Sequence, residues 1–106
     1  MELTPAPHPL GSTAGDAVRA EDGDVSAFVC WTDARKADSK AIPEQFARAQ
    51  YFCDLEVFDD GILVVHKERV FPTSERAQAW YHFAVWCLAT MPADDINQCA
   101  TPWGLS

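Results

Sequence analysis

One segment constrains the chain more than any other: Tyr51-Phe52-Cys53-Asp54-Leu55-Glu56-Val57-Phe58, then Asp59-Asp60-Gly61, then the run from Ile62 to Phe71. Two runs rich in β-branched and aromatic residues flank an Asp-Gly pair. The tightest hairpin turn needs positive φ at both central residues, which Asp and Gly tolerate. The pattern predicts an antiparallel hairpin with Asp60 and Gly61 as a two-residue turn. In that register Asp54 falls opposite Lys67 and Val57 opposite Val64, so opposite charges meet across the strands. Side chains alternate along a strand, so Cys53, Leu55, Val57, Val64 and His66 share one face, assigned to the core.

Two further segments complete a small α+β domain. Val25-Ser26-Ala27-Phe28-Val29-Cys30-Trp31 has the composition of a strand. Thr73 and Ser74 supply hydroxyl caps and Glu75 an early acid for a helix of about 74–90, stopped before Pro92. The predicted architecture is a small antiparallel sheet, hairpin 51–71 plus a strand near 25–31, packed against this C-terminal helix. Pro43 to Gln50 reads as a short helix. The alternation of Ala47, Ala49, Tyr51, Cys53, Leu55 and Val57 also allows one long strand. Asp94 to Cys99 adds a helical turn, and Pro102-Trp103 reads as a docking tail.

Residues 1–24 contain no aromatic residue but carry Pro5, Pro7, Pro9, Gly11, Gly15 and Gly23. They read as a mobile acidic tail, leaving 25–106 as the single folded domain. Half of the formal net charge of −8 lies in this tail.

From Ala79 to Ala89 the helix has one residue outside the apolar set, His82. A surface helix ordinarily carries one apolar stripe and one polar face. At 100° per residue Ala77, Trp80, Tyr81, Ala84, Leu88 and Met91 face the sheet. Phe83 and Trp86 then point away, flanked by Ala79 and His82. They anchor a protein partner or a second copy of the chain, unless Trp103 and Leu105 fold back over them.

Composition and motifs argue against several classes of activity. A sequence pI near 4.6 disfavours direct nucleic-acid binding, which draws on Lys and Arg. No run of 18 apolar residues offers a membrane span. The start of the chain lacks the pattern of a secretion signal, so a cytoplasmic location with reduced thiols is expected. Cys30, Cys53, Cys87 and Cys99 are spaced too widely for a local zinc site and read as core thiols. Thiol or metal chemistry at a Cys53 and His66 pair is the minority alternative, with Asp54 on the opposite face of its strand. The chain has no nucleophile elbow, phosphate loop or dinucleotide fingerprint. No catalytic residue, metal or cofactor is assigned.

The hairpin segment 51–72 holds five acids against Lys67 and Arg69, a net charge of −3. Asp54, Glu56, Asp59 and Asp60 form a ridge able to imitate phosphates and block a basic groove on another protein. In layout, a compact acidic chain with a hairpin and a terminal helix is similar to small phage counter-defence proteins such as anti-CRISPRs, and to toxin-neutralising immunity proteins. The resemblance implies a non-enzymatic inhibitor that covers the working surface of a larger, basic, nucleic-acid-handling partner. The remaining alternative is a homodimeric accessory subunit with a small ligand pocket.

Overall fold

The computed structural model describes residues 1–37 and 50–90. Five strands form one antiparallel sheet in chain order, followed by a helix. They are β1 (Glu2–Pro5), β2 (Ala17–Asp22), β3 (Val25–Asp33), β4 (Tyr51–Asp59) and β5 (Ile62–Phe71), with α1 spanning Ser74–Thr90. This is the α+β arrangement that the sequence predicts, with two strands more. The readings of 43–49, of Met91 and of Asp94 to Leu105 lie outside the described residues.

The first correction concerns the predicted acidic tail. Residues 2–5 and 17–22 are strands, with Ala20 opposite Ala27 and Leu3 opposite Ala20. Along β2, Val18 and Ala20 alternate with Arg19 and Glu21, and Gly23 adopts φ 60° in the turn to β3. Low aromatic content concealed this pattern. The side chains can be small because α1 comes close: Ala20 is fully buried in the core that the helix covers.

The second correction concerns register. Asp60 (φ 53°) and Gly61 (φ 80°) form the predicted two-residue turn, and Asp59 pairs with Ile62 and Phe58 with Leu63. A bulge then intervenes, so Val57 faces Val65 rather than Val64, and Asp54 faces Glu68 rather than Lys67. One inserted residue turns every later side chain of β5 to the other side of the sheet. His66 therefore lies across from Glu56, on the face away from the helix. Val64 sits at the bulge and is exposed.

α1 packs across one face of the sheet. Leu55, Val57, Val29 and Ala20 are fully buried against Ala77, Ala84 and Leu88, with Tyr81 and Cys87 beside them. Side chains the size of Val or Leu each contribute about 1.5–3 kcal/mol when fully buried. The helix begins where Thr73 caps it: the Thr73 carbonyl accepts from the Ala77 N–H at 3.2 Å, and its hydroxyl accepts from the Arg76 N–H at 3.3 Å. The Cys53 thiol donates to the Ala77 carbonyl at 3.2 Å. Phe71 and Trp80 meet with ring centroids 6.3 Å apart.

Deleting residues 1–24 removes two strands and uncovers the β3 edge. The truncated chain should lose its cooperative thermal transition, followed by circular dichroism. A transition unchanged from that of the full chain would return the segment to the status of a tail.

Candidate functional site

The sheet face opposite α1 carries the side chains that the core does not use. Alternation places Phe28 and Cys30 of β3, Phe52, Asp54, Glu56 and Phe58 of β4, and His66 and Glu68 of β5 on this side. Pro7, His8, Pro9 and Leu10 wall it at one end, and Arg19 of β2 reaches it from the other edge. The result is a groove of about 600 Å³, floored by three phenylalanines and lined by three carboxylates.

The wall is the connection between β1 and β2, tied down along β3. The Trp31 N–H donates to the Asp16 carbonyl at 3.1 Å, and the Asp33 N–H to the Ala14 carbonyl at 2.7 Å. The Trp31 indole N–H donates to Asp16 Oδ2 at 2.9 Å. Gly15 makes the approach possible, since a Cβ there would collide with the Trp31 carbonyl. Leu10 and Ala14 cover Phe52 in a second small core.

His8 is the polar keystone of the wall. Its Nδ1 accepts from the Leu10 N–H at 3.1 Å, which requires that nitrogen to be unprotonated. Its Nε2–H donates to the Trp31 carbonyl at 3.0 Å, with the Thr32 hydroxyl also at 3.0 Å. The ring is therefore neutral in the fold. Burial holds its pKa below the ordinary imidazole value, against the opposing influence of the Trp31 carbonyl and the Asp16 charge.

On the same sheet face, exposed His66 has its Nε2 3.1 Å from Asp54 Oδ1 and 3.0 Å from Glu68 Oε1. The sequence reading had Asp54 unable to reach His66; the bulge reverses that. Burial raises the Asp54 carboxyl above the usual carboxylate range, and the His66 charge opposes the rise. The predicted Cys53 and His66 pair is not assembled, because Cys53 faces α1 on the other side of the sheet. Burial pushes the Cys53 thiol up, and the Cys30 thiol up to about 12, leaving both as poor nucleophiles. Cys30, Cys53 and Cys87 are buried and are not in a disulfide.

The residues picked out from the sequence fall in three places. Asp54 and Glu56 line the groove. Asp59 and Asp60 stand at the hairpin turn. Ala79, His82, Phe83 and Trp86 are exposed on the outer side of α1, across the sheet from the groove. Phe83 and Trp86 are 43% and 60% exposed and stack on each other, with centroids 6.4 Å apart and ring planes 25° apart. His82 packs edge-on against Tyr81. The sequence reading missed His8, Arg19, Glu68 and the three groove phenylalanines. Phe52-x-Asp54-x-Glu56-x-Phe58 was visible as a second period-two face, but Glu68 required the bulge.

Because the His8 pKa is lower folded than unfolded, the unfolded chain takes up a proton first on acidification. The stability His8 contributes is complete above about pH 6.5 and drains as pH falls through the lower folded value. Urea midpoints between pH 7.5 and 5 should therefore fall more steeply for the native chain than for His8→Gln. Parallel slopes would refute the neutral-ring assignment.

No protein-family model matches the chain, and no curated protein or solved structure matches it either.

Proposed function

We propose that the protein is a non-catalytic binding protein that occupies the basic, nucleic-acid-handling surface of a larger protein. The observation that carries this reading is the grouping of carboxylates at one end of the sheet. The β2–β3 and β4–β5 turns lie side by side there, joined by the Asp60 N–H donating to the Asp24 carbonyl at 2.9 Å. Asp22, Asp24, Asp59 and Asp60 surround that contact, and Glu2 faces Glu21 across the neighbouring strands. The described Lys and Arg residues lie elsewhere: Arg19 within β2, Arg35 and Lys36 beyond the far end of β3, Lys67 and Arg69 in the second half of β5, and Arg76 in the first turn of α1.

Like charges held this close repel one another, and an oppositely charged surface relieves that repulsion. Carboxylates on a rigid pair of turns take the place of phosphates in a basic groove. Attraction of this kind accelerates association more than it deepens affinity. An inhibitor of the phage counter-defence type, similar to anti-CRISPRs, uses this chemistry. So does an immunity protein seated on a nuclease toxin.

The test starts with affinity capture from the native host and measures association of the recovered partner at low and high salt. The Asp22→Asn, Asp24→Asn, Asp59→Asn, Asp60→Asn variant should associate roughly tenfold or more slowly at low salt. The native chain should lose the same advantage at high salt, and DNA should compete. A partner whose association ignores both salt and the four substitutions would refute the reading.

The stacked, exposed Phe83 and Trp86 favour a second reading, a homodimeric accessory subunit with a small ligand pocket. Sedimentation at decreasing concentration should then show a dimer dissociating, and Phe83→Ser with Trp86→Ser should give a monomer at every concentration. A native chain already monomeric throughout would refute it.

A further inference from the structure

We infer that Asp54, His66 and Glu68 form a binding site for a divalent first-row transition-metal ion of the zinc class. Two of the three, Asp54 and Glu68, line the groove, and the inference is independent of the partner proposed above.

The geometry gathers the donor set that such an ion needs. One imidazole nitrogen, His66 Nε2, meets two carboxylate oxygens, Asp54 Oδ1 at 3.1 Å and Glu68 Oε1 at 3.0 Å. Deprotonated, that nitrogen offers a lone pair to a metal ion beside the two carboxylate oxygens. Asp54 and Glu68 are also direct cross-strand partners, an arrangement in which like charges destabilise a sheet. A divalent cation among the three accepts a lone pair from each and neutralises both carboxylates.

The dimensions agree with that role. One donor atom from each residue can be chosen so that all three lie within 4.8 Å of one another. Zinc binds imidazole nitrogen and carboxylate oxygen at about 2.0–2.2 Å, which makes the edge of its coordination tetrahedron about 3.4 Å. The two separations at His66 are slightly shorter than that edge. Rotation of the carboxylate side chains brings the third pair of donors into range. One imidazole with two carboxylates suits zinc, iron, cobalt or nickel better than magnesium, which prefers oxygen and keeps its waters.

Three ligands on one sheet face leave coordination positions unfilled, and Asp54 and Glu68 also line the groove floored by Phe28, Phe52 and Phe58. An open position beside an apolar floor accepts a donor atom from a small ligand or from a partner side chain. The bulge in β5 makes the set possible, since without it His66 and Glu68 would lie under α1 and away from Asp54.

The experiment titrates the full-length reduced chain with Zn²⁺ by calorimetry and with Co²⁺ by visible absorption. The expected result is one ion per chain with micromolar affinity and no thiolate charge-transfer band. His66→Ala and Glu68→Gln should each weaken binding at least tenfold while retaining the native circular dichroism spectrum. Asp59→Asn with Asp60→Asn, which removes the same sign of charge outside the site, should bind as the native chain does. Absence of binding at 100-fold above that affinity overturns the inference. So does a thiolate band, native affinity in His66→Ala, or an equal loss in the Asp59 and Asp60 control.

Discussion

The extra residue that β5 carries near Val64 sets the side of the sheet on which the rest of that strand falls. Up to Leu63 the strand keeps the register that the Asp60-Gly61 turn imposes; beyond the bulge it runs one residue out of step. Val65 and Phe71 thereby join the core under α1, while His66 and Glu68 come round to Asp54. Lys67 and Arg69 take the helix side at the sheet edge, where Arg69 lays its guanidinium 5.5 Å from the centre of the Phe71 ring. Long basic side chains can cover apolar surface in this way while keeping their charge in water. A single inserted residue thus couples the completeness of the core to the chemistry of the groove.

Two layers cover the sheet unequally. α1 spans one face and supplies the small residues Ala77 and Ala84 where it comes closest. Among the described residues, the other face receives the chain between β1 and β2, which walls the groove with Pro7 to Leu10. That wall depends on an uncharged His8 and on a glycine where β3 passes, so its stability is tied to pH and to backbone contact more than to hydrophobic burial. Acidification should loosen the wall before it affects the core beneath α1, where the buried groups are apolar side chains, thiols and the tyrosines Tyr51 and Tyr81.

The charge of −8 is not spread evenly. Pairing β1 and β2 into the sheet brings acids from the first 24 residues beside those of the β4–β5 turn. The acidity read from the sequence as a tail and a separate ridge is thereby gathered at one end of the fold. The aromatic pair on α1 lies across the sheet from the groove, so the features that first suggested binding are three surfaces and not one.

Local chemistry alone determined the Asp60-Gly61 turn, the span of α1, the strand from Val25 and the outward position of Phe83 and Trp86. Each of these depends on residues within a few positions of one another: positive φ at a turn, a hydroxyl cap, β-branched runs, the helical period. Only the tertiary structure decided that residues 2–5 and 17–22 are strands, because their few apolar side chains suffice only beside β3 and under α1. It also decided which residues face His66. Side chains on a strand alternate with a period of two, so one bulged residue, invisible to composition, exchanges the two faces of everything that follows it.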